Sequence, residues 1–161
     1  MEFGDLRGWI DALRASDEIR EVTAEVDWNL ELGAIVRKVF GNGDGPALLF
    51  SNIKDYNHSD ARCRRLYTGS FSKYSRIAMM FGLPQDASIT EMVKTARQAF
   101  SNRVAPELVD TGPVKQNIVT GDAIDIREFP VPQWNRLDGG RYINTFCGNV
   151  TMDPDTGVHN V

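Results

Sequence analysis

A chain of 161 residues with 42% hydrophobic and 25% charged residues can bury a real core, which excludes extended disorder over most of its length. Its formal charge of −4 is spread without a long block of one sign, and Arg64-Arg65 is too short a basic run for DNA or RNA binding. No stretch approaches the roughly 20 apolar residues of a membrane-spanning helix, and "MEFGDLRGWI" lacks the basic and apolar regions of a signal peptide, so a cytoplasmic protein is expected.

Leu6, Trp9, Ile10 and Leu13 form a helical stripe, with Asp5 placed to cap it. Ile19 to Val26 alternates roughly as a strand with one buried face. A second helical stripe, Leu32, Ile35, Val36, Val39 and Phe40, is stopped by "GNGDGP", and "ALLF" (Ala47 to Phe50) follows as a short buried strand. The glycines follow a helix and precede a strand, the reverse of a phosphate loop.

"SKYSRIAMMFGLP" reads as a helix stopped by Gly82 and Pro84. Ser88 and Glu91 then form a capping box ahead of Met92, Val93, Ala96, Ala99 and Phe100. Met79, Met80 and Met92 are expected in the core. The fold class expected is α/β, with an N-terminal α/β domain over residues 1–106.

A second, mainly β unit is expected over residues 107–161, clearest from Pro113 onward. It contains "VKQNIV", the turn "TGD", the alternating "AIDI", the Pro-punctuated "FPVPQW" and an extended run from Arg141 to Met152. That run carries Tyr142, Asn144, Phe146, Gly148, Val150 and Met152 on one face and Ile143, Thr145, Cys147, Asn149 and Thr151 on the other. Neither face is cleanly polar, so both are expected to be covered. The small and polar residues suit either a ligand approaching the sheet or an ordinary barrel strand, and pattern leaves both open. In "DPDTGVHNV" the Asp-Pro start and Gly157 predict a hairpin turn. A unit this short cannot close a barrel.

Chemistry-bearing residues are few. Cys63 and Cys147, the only cysteines, read as free thiols, and the sequons at Asn57 and Asn149 matter only in a secreted chain. His58 lies in a polar loop and reads as solvated surface. His159 and Asn160 are adjacent, so on a strand their side chains point to opposite faces and do not share a metal. On pattern alone, Asn160 ends a strand or satisfies a turn.

At "FPVPQW", "DGGRYINT" and "DPDTGVHNV" the sequence resembles the UbiD family of prenylated-FMN-dependent reversible decarboxylases. "DLRGWIDALRASDEIREV", "ELGAIVRKVF", "GPALLF" and "SRIAMMFGLP" extend the resemblance over essentially the whole chain. It implies an N-terminal α/β domain followed by the opening strands of a split β-barrel flavin-binding domain, with an oligomerisation region further on.

It also implies that Asn160 binds a divalent metal, commonly Mn²⁺, which holds the cofactor phosphate. The carbonyl of Val161 would help bind a monovalent cation, commonly K⁺. An amide oxygen is a hard neutral ligand that suits oxygen-rich coordination beside a phosphate. The resemblance places the family's other site residues, a His and a Glu on the metal and an Arg flanked by two Glu, downstream, and none of them is expected among these 161 residues.

The expectation is therefore an N-terminal portion of a homo-oligomeric carboxy-lyase acting on an aromatic or α,β-unsaturated acid and CO₂, supplied with cofactor by a flavin prenyltransferase. These residues alone are expected to be inactive. The alternatives are a non-catalytic assembly subunit that docks on a separate catalytic chain, and an ordinary FMN-binding redox protein with no need of Asn160 as a ligand.

Overall fold

The structure, a computed structural model, describes residues 3–105, 107–143 and 147–160. Helix α1 (Leu6–Ala15) starts where Asp5 accepts a hydrogen bond from the Gly8 N–H at 3.0 Å, the cap expected from the sequence. It ends in a reversal through Asp17, at φ +57°, with the Glu18 N–H donating to the Leu13 carbonyl at 2.9 Å and the Asp17 N–H to that of Arg14 at 3.2 Å. These two hydrogen bonds satisfy the Leu13 and Arg14 carbonyls of the last turn and deliver Glu18 to the start of β1 (Ile19–Val22).

Strand β1 pairs in parallel with β2 (Ala47–Phe50), and helix α2 (Glu31–Phe40) makes the crossover between them. Strand β3 (Leu66–Thr68) adds antiparallel on the other side of β2, giving the order β1-β2-β3. Being central, β2 is covered on both faces, which is why "ALLF" is apolar throughout. Ala47 and Leu49 pack with Trp9 and Leu13 of α1 and with Met79 and Met80; Leu48 and Phe50 pack with Val26, Leu32 and Ile53 on the α2 side.

Helix α3 (Tyr74–Met80) closes with Gly82 at φ +68° and the Leu83 N–H on the Ala78 carbonyl. Helix α4 (Ile89–Ser101) starts with the expected reciprocal capping box of Ser88 and Glu91. The mixed helix and strand content bears out the α/β expectation. No helix among the described residues is long and apolar enough to cross a membrane.

Several expected strands are absent. The first ends at Val22, with Val26 making only an isolated bridge to Ile53. "VKQNIV" and "AIDI" carry 3₁₀ turns at Pro113–Lys115, Gly121–Ala123 and Ile126–Glu128 instead. Of the run from Arg141 to Met152, only β4 (Thr151–Met152) is a strand among the described residues, with Asn144, Thr145 and Phe146 outside them. Alternation makes a strand only when a neighbour offers a ladder, and among the described residues only Thr151 and Met152 of these stretches meet one. The run from Arg141 to Met152, expected to be covered on both faces, is instead open to solvent at its described apolar residues: Ile143 is 53% exposed, Val150 68% and Met152 58%.

The hairpin does form. Met152 pairs with His159 and Thr151 with Asn160 of β5 (His159–Asn160). The Asp153 carboxylate accepts from the Asp155 and Thr156 N–H groups at 2.9 and 2.8 Å, and Gly157 takes φ +70°.

The α/β layers meet at a buried charge that no pattern pointed to. Arg76 of α3 is fully buried. Its guanidinium donates to Glu18 Oε2 at 2.7 Å, to the Gly69 carbonyl at 2.9 Å, to the Gly45 carbonyl at 2.8 Å and to Ser72 Oγ at 2.6 Å. The other Glu18 oxygen accepts from Lys73 at 2.7 Å and Ser75 at 3.2 Å. Gly69 sits at φ +105°, where a side chain would also strike the Phe40 ring, so only glycine presents this carbonyl.

Burial raises the Glu18 carboxyl's pKa, but Lys73, Arg76 and Ser75 outweigh it and hold the group below its ordinary 4.5. A depressed carboxylate contributes stability above that value and loses it as pH falls through the folded value. Glu18→Gln, which leaves Arg76 buried without its counter-charge, should cost about 3–5 kcal/mol at pH 7 in denaturant melts. It should also flatten the fall in stability below pH 4.5; a variant as acid-sensitive as the parent would show that Glu18 does not carry this dependence.

Candidate functional site

Of the stretches that distinguish this sequence, "FPVPQW" and residues 138–143 meet the α/β unit through Gln133, Trp134 and Arg141. Pro132 is fully buried. Gln133 runs beside Asn29, its N–H donating to the Trp28 carbonyl at 3.1 Å and its carbonyl accepting from Leu30 at 3.0 Å. Leu30 takes φ +71° to make this approach.

Trp134 packs on the α2 side of the core. Arg37, in the last turn of α2, donates to the Trp134 carbonyl at 2.9 Å and to Asn135 Oδ1 at 2.7 Å. The loop is braced from within: the Gln133 amide reaches the Asn135 and Asp138 carbonyls, and Asp138 accepts from the Asn135 N–H, each at about 3 Å.

Arg141 closes the loop. Its guanidinium lies 4.2 Å from the centroid of the Trp28 ring and 5.6 Å from that of Tyr56. It donates to the Val131 carbonyl, to the Phe129 carbonyl at 3.2 Å and to the Tyr56 hydroxyl at 2.6 Å. The Tyr56 hydroxyl in turn donates a hydrogen bond to the Arg127 carbonyl at 2.7 Å. Cation–π stacking and hydrogen bonding thus act on one group, which the planar guanidinium alone allows.

A cleft of about 940 Å³ is lined by Arg62, Cys63, Asn117, Ile124, Asp125 and Phe129 among others. Arg62 and Glu128 pair across it at 3.3 Å. Hydrogen bonds from the Arg127 side chain and backbone hold Asp125 down at about 2, so it is ionised at neutral pH and is not a proton donor there.

Asn160 lies on β5, opposite Thr151 of β4. It is exposed on β5, and its side-chain amide has no hydrogen-bond partner among the described residues. Its oxygen is therefore available to a hard cation, and one neutral donor is what it offers. His159 precedes it on the same strand, so the two side chains leave opposite faces. Among the described residues no three His, Cys, Asp or Glu gather as a metal site. Val161 lies outside the described residues. Cys63 and Cys147 are free thiols and His58 is exposed, as expected.

Residues 10–96 match the family model for the 3-octaprenyl-4-hydroxybenzoate carboxy-lyase N-terminal domain, and residues 107–161 that for its Rift-related domain. Pyrrole-2-carboxylic acid decarboxylase of Pseudomonas aeruginosa is 37% identical over 156 residues, 94% of this chain and 31% of that protein. Ferulic acid decarboxylase 1 of Saccharomyces cerevisiae is 30% identical over 158 residues, with the same shares. The solved structure of an evolved dimeric form of the UbiD-class enzyme HmfF from Pelotomaculum thermopropionicum, in complex with prFMN, gives a TM-score of 0.78 at 29% identity. That likeness covers 96% of this chain and 34% of the other. The chain spans about a third of the length of each of these proteins.

Gly33 reports on the docking of the loop. A Cβ there would overlap the Trp134 carbonyl, a backbone atom that cannot swing aside. Gly→Ala inside a helix ordinarily gains about 1 kcal/mol. Gly33→Ala should instead lose about 1–3 kcal/mol by overpacking, seen as a lower denaturant midpoint. A gain in stability would show that the loop does not sit on α2.

Proposed function

Because the chain belongs to the UbiD family of carboxy-lyases, we propose that it forms the N-terminal part of an enzyme that reversibly decarboxylates an aromatic or α,β-unsaturated carboxylic acid. The match of both family models across the chain supports this reading, together with relatives that are themselves decarboxylases. In it, residues 1–106 are an α/β domain and residues 107–161 the opening of a flavin-binding split barrel. Prenylated FMN, Mn²⁺ and K⁺ are the groups required, with a flavin prenyltransferase as cofactor supplier, a cytoplasmic location and a homo-oligomer as the working form.

The chain's own share is to hold and orient. Asn160 supplies one hard oxygen to the divalent metal, and the Val161 carbonyl contributes to the monovalent cation. Asn160 is exposed and its amide is unengaged, which suits a ligand whose remaining partners come from the cofactor phosphate and from other residues. Prenylated FMN, when bound, accepts the electrons left by departing CO₂. The braced loop at Gln133 to Arg141 ties the hairpin-bearing segment to the α/β unit, so the metal-binding arm starts from a fixed base.

Full-length protein purified with prenylated FMN, Mn²⁺ and K⁺ should release CO₂ from aromatic or unsaturated acids, whereas the 161-residue chain alone should not. A full-length protein that lacks turnover but binds a second, active chain would make it an assembly subunit instead. Asn160→Ala should lose metal and flavin together, because the metal holds the cofactor phosphate. His159→Ala should keep both, since its side chain leaves the other face. Metal content by mass spectrometry and flavin absorbance, read on both variants in parallel, decide; the opposite pattern would assign the ligand to His159.

A further inference from the structure

Arg141 is half-buried, and from Tyr142 onward every described residue is exposed. Arg141 is thus the last half-buried residue among those described before the β4–β5 hairpin. One side chain joins Trp28 after β1, Tyr56 after β2 and the carbonyls of Phe129 and Val131. Tyr56 extends the clamp to the Arg127 carbonyl. Lysine offers the same charge, but its ammonium cannot stack flat on Trp28 while donating to several fixed acceptors.

We propose that Arg141 is a positioning residue for flavin and metal binding. By clamping Trp28, Tyr56 and residues 127–131 it fixes the take-off of the segment that carries Asn160, without touching cofactor or metal itself. This rests on the decarboxylase reading given above and adds to it a residue that acts at a distance. Among the described residues the guanidinium is already engaged by this chain's own aromatic rings, carbonyls and hydroxyl, which suits a clamp.

The test uses full-length protein with Arg141→Lys, Arg141→Met and, as a control, Leu13→Ala, which opens the core on the α1 side away from the clamp. Affinity for prenylated FMN in the presence of Mn²⁺ is titrated by absorbance. Hydrogen exchange is followed at the Leu30 and Gln133 amides, which bond across the docked loop, and at the β1–β2 ladder.

Both Arg141 variants should keep the ladder protected, lose protection at Leu30 and Gln133, and bind flavin ~10-fold more weakly or worse. Leu13→Ala should bind as the parent does. Parental flavin affinity in Arg141→Lys would overturn the assignment, as would an equal loss in Leu13→Ala, which would mark the effect as general destabilisation. If the unsubstituted protein neither binds the flavin nor releases CO₂, the decarboxylase reading itself fails and the positioning role falls with it, even where the exchange results still show the clamp.

Discussion

The α/β unit is organised around a charge that cannot be given up. Arginine stays protonated at any pH a protein meets, so burying Arg76 completely is possible only if acceptors surround it. They come from distant parts of the chain: Glu18 behind α1, Gly45 in the loop after α2, Gly69 after β3, and Ser72 just ahead of α3. Moving any one of these segments would strand a hydrogen bond in the interior, which costs far more than the same bond is worth on balance. No buried side-chain nitrogen or oxygen among the described residues is left without a partner. The sheet order and the position of α3 follow from meeting that demand.

Local signals in the sequence translated well because their physics is local. The Asp5 cap, the Ser88–Glu91 box, the Gly82 stop and the Asp153–Gly157 turn each involve groups within a few residues of one another. Glu18 and Arg76 stand 58 positions apart, and nothing in the spacing of either announces the other. Strand β3 escaped notice because three residues, all half-buried, leave no period to read. The errors in the second half have the opposite origin: alternation was present in "AIDI", but alternation describes a surface, and a strand also needs a neighbour.

Two of the three stretches most specific to the family resemblance, "FPVPQW" and "DGGRYINT", carry long-range contacts. Pro132, Gln133, Trp134 and Arg141 bind the second segment to the first through Trp28, Leu30, Gly33, Arg37 and Tyr56. The resemblance therefore pointed to a joint as much as to a reaction centre, while Asn160, the one residue assigned to the metal, sits in a hairpin whose described residues are all exposed. Residue spacing separated His159 from Asn160 by strand geometry. Choosing Asn160 as the ligand required the family's pattern.

The division of contacts has a consequence for biosynthesis. The three-stranded sheet, the Arg76 cluster and the α1 side of the core draw their members from Phe3 to Met80. A ribosome delivers that set first, and a unit whose partners have all emerged can fold while synthesis continues. During that interval the aromatic faces of Trp28 and Tyr56 and the groove at Gly33 stand open to water, waiting for Trp134 and Arg141. The nascent unit thus carries a sticky, incomplete flank for as long as translation takes to cover the intervening stretch, and a pause within it would lengthen the exposure of the surface most able to capture the wrong partner.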